Sequence, residues 1–271
     1  MPSLRTLKAL LATWYAFMLN HRAELFLWMV AASLPLIMMG VWVQAGASGD
    51  FPGVTAASAA RYFLAVFVVR QLTSAWVLYE FQHQVLSGGL SPKLLHPLDP
   101  VFVFLSEHLM GQLARLPMLL GVLALGLWLY PAALQDPADP ERWLLPGPPE
   151  LLGFGVALAA AFAFRFLQQY TLAMGAFWIE RVSAFEPLAY LPYLFLSGLL
   201  YPLEALPAAT RELILWTPFP WMVWFPASIL GGADVPLSRG FVTMGLWLAG
   251  LFALNRVLWR AGLKRYSAMG A

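Results

Sequence analysis

Unbroken apolar runs constrain this chain more than anything else in it. Runs near 25–45, 59–79, 106–130, 151–177 and 241–260 are interrupted by few charges. Each has the length of about 20 residues that a helix needs to cross a hydrocarbon core of about 30 Å. The chain is 61% hydrophobic and 11% charged, against about 45–50% and about 25% in soluble domains. In water it would expose far too much apolar surface, so it reads as an integral membrane protein. A porin-type barrel alternates apolar and polar residues. These runs do not, so the spans are helices and the fold class is all-α.

A further span, the fifth in chain order, has to be assembled from about 183–201, where Pro187 and Pro192 interrupt the run. That predicts six transmembrane helices in a single domain, 1–271, with both termini on one side. Lys and Arg accumulate on the cytoplasmic side of membrane proteins. The side of the termini carries Arg5, Lys8, Arg22, Lys93, Arg181, Arg256, Arg260, Lys264 and Arg265. The other side carries only Arg61, Arg142, Arg211 and Arg239. The termini and the loop at 80–105 are therefore expected in the cytoplasm, in a multi-pass protein of the inner (plasma) membrane.

Residues 4–19 place Leu4, Leu7, Leu11, Trp14 and Met18 on one helical stripe, with Arg5 and Lys8 off it. That pattern predicts a helix, about 3–20, lying in the membrane interface. No short basic leader precedes the first long run, so no cleavable signal peptide is expected. The stretch 131–149 holds Pro131, Pro137, Pro140, Pro146, Pro148 and Pro149 with Asp136, Asp139 and Glu141, and reads as an external loop. Between 202 and 236, prolines cut an apolar run into pieces near 208–216 and 221–230, too short to cross. Such pieces suggest re-entrant or interfacial helices packed on protein, because lipid tolerates no unpaired backbone. Trp216, Trp221 and Trp224 suit the outer headgroup level.

Gly88 to Pro100 forms a proline-bounded cytosolic hook in a chain otherwise buried in lipid. Pro92, Pro97 and Pro100 fix φ near −65°, and Gly88 and Gly89 can turn the chain sharply. Leu90, Leu94, Leu95 and Leu98 are apolar on this short excursion and suit a groove in a partner; alternatively they tuck against the protein's own spans. Glu80 and Asp99 offer polar contacts at the rim.

Few residues are equipped for chemistry. No phosphate-binding G-x-x-x-x-G-K-[ST] pattern occurs, and His21, His83, His96 and His108 have no ligand spacing. There is no cysteine, hence no disulfide, thiolate metal site or cysteine nucleophile. The net charge of +2 is too small to argue for nucleic acid. Three arginines, Arg70, Arg115 and Arg165, fall inside spans, Arg70 roughly 16 Å deep at 1.5 Å per residue. Each costs about 2.5–3.5 kcal/mol on insertion scales, roughly 8–10 kcal/mol for three, so none is left facing lipid. Gln71, Gln168 and Gln169 are near in sequence, and no carboxylate is expected at comparable depth. The group reads either as a polar cavity lining or as clamps between helices. Glu180, Arg181 and Glu186, at the inner end of the fourth span, read as a solvated helix end.

Several stretches resemble the permease subunits of ABC-2 type ABC transporters, the subfamily of daunorubicin-type and related exporters. They are Val69-Arg70-Gln71-Leu72-Thr73 with Trp76; Gly89-Leu90-Ser91 running to Leu94-Leu95 and Pro97-Leu98-Asp99-Pro100; and Phe177-Trp178 with Glu180-Arg181 and Ala184-Phe185. Further along come Leu196-Ser197-Gly198 before Pro202-Leu203-Glu204, Trp216-Thr217-Pro218-Phe219-Pro220 to Phe225-Pro226-Ala227-Ser228, and Gly262-Leu263-Lys264-Arg265-Tyr266-Ser267. Their order and spacing, over residues 69–267, carry the likeness.

The resemblance implies a permease with no ATPase of its own. It would pair with a second permease, identical or related, and sit above two cytosolic ATPases that bind the ATP and magnesium. Residues 3–20 would be the elbow helix. The hook would hold the coupling helix, with Gly89, Leu90, Ser91, Leu94, Leu95, Pro97, Leu98 and Asp99 meeting the ATPase. The cargo would be an amphipathic or hydrophobic compound, and the likeness permits Glu180 and Arg181 an alternative role as a cytosolic gate. A membrane-embedded lipid-modifying enzyme and a structural subunit are the competing readings; the first would need clustered histidines and acids at one surface. The cysteine-free background makes orientation testable. A Lys93→Cys thiol is expected to resist an impermeant maleimide added to intact cells and to react after permeabilisation; labelling in intact cells inverts the topology.

Overall fold

The computed structural model describes residues 4–49, 51, 53–135 and 146–268. It is 82% helix with no strand among these residues. Twelve α-helices are used below: α1 Leu4–Asn20, α2 Arg22–Ala31, α3 Leu34–Ser48, α4 Ala56–Thr73, α5 Val77–Leu86, α6 Leu90–Leu94, α7 Pro100–Leu129, α8 Pro148–Ala173, α9 Glu186–Leu196, α10 Ala208–Leu215, α11 Trp224–Leu230 and α12 Leu237–Ala268. Five segments are long and apolar enough to cross a membrane: Arg22–Ser48, Ala56–Leu86, Pro100–Leu129, Pro148–Phe177 and Leu237–Tyr266. They match the five predicted runs. Two of them are broken, α2–α3 just before Pro35 and α4–α5 at Ser74, whose backbone is extended (φ −65°, ψ 129°).

The span expected across 183–201 differs. Its helix, α9, has 11 residues, about 16 Å at 1.5 Å per residue, half of a hydrocarbon core. Pro187 sits in its first turn and Pro192 inside it, so proline ends the regular ladder early. Hydrogen bonds nonetheless fix its course. Ser183 donates its backbone N–H to Gln82 at 2.8 Å, Arg70 donates to the Tyr190 hydroxyl at 3.1 Å, and the Tyr62 hydroxyl donates to the Gly198 carbonyl at 2.7 Å. As the numbers rise along this segment they fall along α5 and α4, so it runs antiparallel beside both.

Two ends of the bundle follow. The hook end gathers α6, the start of α7, the turn after α8 and the close of α12. The far end gathers the starts of α4, α8 and α12. α10 and α11 match the two short pieces expected between 202 and 236, but the tryptophans divide. Trp216 is exposed, whereas Trp221 and Trp224 are buried in the far-half core with Tyr62, Phe63 and Phe225. Burial removes Trp221 and Trp224 from the expected headgroup anchors and leaves only Trp216 free for that role; α11 is a core helix packed on α4 and α8. Of the loop expected at 131–149, residues 136–145 lie outside the described residues. Pro148 and Pro149 open α8, where the first N–H groups need no intrahelical partner. α1 packs on α7, with Met18 beside Gly111. Its half-buried residues include Leu7, Leu11, Trp14 and Met18 of the predicted stripe, while Leu4 stays exposed.

Gly198 reverses the chain after α9 at φ +86°, and an added Cβ would overlap the Tyr62 hydroxyl and crowd Trp224. Strain of this kind costs about 1–3 kcal/mol before any clash. Gly198→Ala should lower the melting temperature in neutral detergent and the yield of monodisperse protein, while Gly49→Ala, with open space around it at φ +77°, should cost less. Equal losses would mean that the tight approach at Gly198 carries no weight.

Candidate functional site

The hook is fastened more firmly than its sequence predicts. Gly88 turns at φ +75°, and Leu90 enters an aromatic core and is fully buried. Leu94 packs against the same core. Of the two readings of the four leucines, tucking against the protein's own helices holds for Leu90, which is enclosed, and in part for Leu94 and Leu98, which are half-buried. Leu95 alone is open, 88% exposed, flanked by exposed His96 and Pro97. Ser91 and Tyr266 share a 2.9 Å hydroxyl bond. Asp99 accepts from the Val101 N–H at 3.0 Å, capping α7, and pairs with Arg256 at 3.5 Å. The Lys93 ammonium lies 5.1 Å above the Phe104 ring. Partial burial holds it below the usual lysine range, with Glu80 and Glu107 pulling the other way. Asp99 is thus engaged by its own chain, while Glu80 accepts from Gln84 and remains exposed.

The intramembrane polar residues separate into two groups. Arg70 on α4 and Arg165 on α8 converge on α9. Arg70 bonds Tyr190, and the Tyr193 hydroxyl also faces it. Arg165, 5% exposed, stacks 4.0 Å from the Tyr193 ring centroid and donates to Gln168 at 3.0 Å. Arg115, Gln71 and Gln169 do not join them. Arg115 bonds back to the Gly111 carbonyl in its own helix at 3.1 Å. Gln71 reaches the Met29 carbonyl at 3.1 Å, and Gln169 is buried with its side-chain oxygen unpaired. Glu180 and Arg181 are both exposed.

Sequence reasoning missed the face of α9 that receives the arginines. Glu186, Tyr190, Tyr193 and Ser197 recur at i, i+4, i+7 and i+11, a polar stripe on an apolar helix. That spacing was the available signal, obscured by the two prolines. Glu186, expected at a solvated helix end, is 8% exposed, has one carboxylate oxygen without a partner, and acts electrostatically on Arg165. The expectation of no carboxylate near the arginines is corrected by this residue. Neither arginine forms an ion pair among the described residues. Two cations and one carboxylate leave an excess positive charge in a low-dielectric interior, which is costly unless compensated.

An apolar crevice of about 470 Å³ adjoins this group, walled by Leu172, Trp178, Phe185, Leu251 and Leu258, with Gln168 at its edge. Volumes of about 300–1,000 Å³ are usual for small-molecule sites.

Comparison with known proteins adds one finding. The family described as ABC-2 family transporter protein matches residues 27–270, which include both the hook and the arginine group. No curated protein and no solved structure matches the chain.

If Glu186 offsets the arginines, Glu186→Gln should lower thermal stability. Adding Arg165→Gln should then recover part of the loss, with a coupling of about 0.5–3 kcal/mol in the double-mutant cycle. Simple additivity of the two changes would separate Glu186 from Arg165.

Proposed function

The chain belongs to the ABC-2 family of transporter proteins, and on that premise we propose that it is the permease half of an ABC exporter. It moves an amphipathic or hydrophobic compound and is powered by separate cytosolic subunits that bind ATP and magnesium. A second permease, identical or related, completes the membrane part. In this reading the segment about 183–201, fifth in chain order, supplies the crossing that makes six in one ABC-2 domain. It does so as a short helix with irregular ends, a form tolerated in lipid where the backbone is covered by protein. Both termini and the hook face the cytoplasm, α1 serves as the elbow, and α10 and α11 form the external re-entrant segment.

One observation supports the reading most directly. Leu95 projects from a five-residue helix whose flanks are anchored by Leu90, by Ser91 with Tyr266, and by Asp99 with Arg256. A solvent-exposed leucine beside two prolines suits insertion into a groove, and the anchors on both sides would carry a push into the bundle. ATP-driven closure of the partner subunits would then act through Leu95, Pro97 and His96. Glu180 and Arg181, exposed at the same end, would lie near the cytoplasmic mouth as an inner gate. Arg70, Arg165 and Gln168 would line the transport path, with Gln71, Arg115 and Gln169 serving as supports behind it.

Affinity purification from the native host tests this. The intact chain should bring down a Walker-motif ATPase, and Leu95→Asp should abolish that recovery at unchanged membrane abundance. Leu213→Asp, an exposed leucine at the far end, should leave it intact. Retention of the ATPase by Leu95→Asp would move the docking site off the hook.

A further inference from the structure

The buried arginines and the crevice beside them have a joint reading that names the class of cargo, and it rests on the permease assignment above. Arg165 is almost wholly enclosed, Arg70 is half-buried, and their protein partners are two tyrosines, one glutamine and the field of one carboxylate. Tyrosine and glutamine solvate a guanidinium without neutralising it. Arg70 also keeps its Nε without an acceptor. A planar donor fork left unmatched in an apolar interior is the element proteins use to hold carboxylate or phosphate.

The crevice supplies the other half. Its walls are leucine and aromatic side chains, and rim residues Trp178, Ile179 and Phe185 are 40%, 44% and 45% exposed. The crevice therefore opens to the outside of the bundle at its hook end, beside exposed Glu180 and Arg181. Gln168 connects the two parts, because it edges the crevice and its side-chain oxygen holds Arg165 at 3.0 Å. Ala189, on the neighbouring turn of α9 to Glu186 and Tyr190, contributes a small side chain to the wall.

We infer that this is a binding site for an amphipathic anion, whose apolar chain enters the crevice between α8, α9 and α12 and whose phosphate or carboxylate reaches past Gln168 to Arg165 and Arg70. The bound anion supplies the negative charge that the protein leaves out, and a zwitterionic or neutral amphiphile of equal length binds less well. Glu186, on the same side of α9, keeps the empty site tolerable and sets a limit on how tightly an anion is held.

The test uses the full chain purified in a maltoside detergent, with binding read by native mass spectrometry and thermal shift. Probes are lysophosphatidic acid, lysophosphatidylcholine of the same acyl chain, and inorganic phosphate. Wild type is expected to bind lysophosphatidic acid at least tenfold more tightly than lysophosphatidylcholine. Arg165→Gln should bring the two to parity, and Ala189→Trp should weaken both lipids while preserving the melting temperature. Glu186→Gln should tighten the anionic lipid. The inference is overturned if Arg165→Gln keeps the discrimination, or if inorganic phosphate alone competes as well as the lipid, which would make the crevice irrelevant. It is equally overturned if Ala189→Trp changes only the oligomeric state, which would make the crevice a seat for a second copy of the chain. No ATPase enters these measurements. A negative result alongside intact ATPase recovery would reject the anionic cargo and leave the permease assignment standing; loss of ATPase recovery with positive binding would do the reverse.

Discussion

The side chain of Phe81 is the contact on which the hook end depends. Its ring meets Phe104, Tyr170, Phe177 and Trp259 at centroid separations of 5.8, 5.5, 5.6 and 6.2 Å. One residue of α5 thereby binds α7, α8, the turn after α8 and α12 into one block. Lipid tails are as apolar as leucine and offer no hydrophobic drive for helices to associate, so such packing and interhelical polar bonds must do it. The polar bonds lie beside the aromatic core. Asn255, fully buried, donates to Thr171 at 3.1 Å, and Arg265 donates to the Phe177 carbonyl at 3.1 Å. Leu90 of the hook is seated in the same core, which makes the hook an extension of the block rather than a loop hung from it.

A second constraint operates near mid-bundle, where charge rather than packing sets the arrangement. Two arginines cannot be left to lipid, and α9 meets them with the only polar stripe its sequence holds. Its rings do double service: Tyr190 offers a hydroxyl to Arg70, and Tyr193 offers a face to Arg165, an arrangement in which the ring quadrupole attracts the cation. A regular 20-residue helix is not needed for this. An 11-residue helix with proline at both its start and its middle places the stripe and then lets the chain turn at Gly198, which packs beside Trp224.

Much of this architecture was legible in the sequence, for a definite reason. In a membrane the length and apolarity of a run decide its fate almost alone, so five spans, the short pieces near 208–216 and 221–230, and the hook could be read directly. Four of the five residues of the α1 stripe, Leu7, Leu11, Trp14 and Met18, are half-buried on a helix that packs on α7, while Leu4 is exposed. The failures share a cause: each depended on which neighbour a side chain meets. Nothing local distinguishes Leu90 from Leu95, yet one fills the aromatic core and the other is open. Trp216 and Trp221 are equally apolar and differ because the 3₁₀ turn Pro220–Met222 that leads into α11 lies inside the bundle. Glu186 stands next to Pro187 at what looks like a wet helix end, and only the path of 182–198 beside α5 and α4 reveals that it is enclosed.

The hook's aromatic block and the arginine group share α8. Its hook-end half carries Phe166 and Tyr170, whose stacked rings lie 5.7 Å apart in the aromatic block. The same stretch carries Arg165 and Gln168. α12, also in that block, contributes Leu251 and Leu258 to the crevice wall. A force applied at Leu95, as the proposed docking requires, would reach α8 and α12 through dense contacts, because close-packed interiors transmit displacement rather than absorb it. α9 is held differently: hydroxyl and ring contacts to the arginines join the packing of Tyr193, Leu194 and Leu196 in the far-half core, and a 3₁₀ turn rather than a continuous helix precedes it on its hook side. Relative movement would be easiest between the packed block and this short helix, held partly by polar contacts. That boundary passes between Arg165 and the α9 stripe, along the line where the crevice lies.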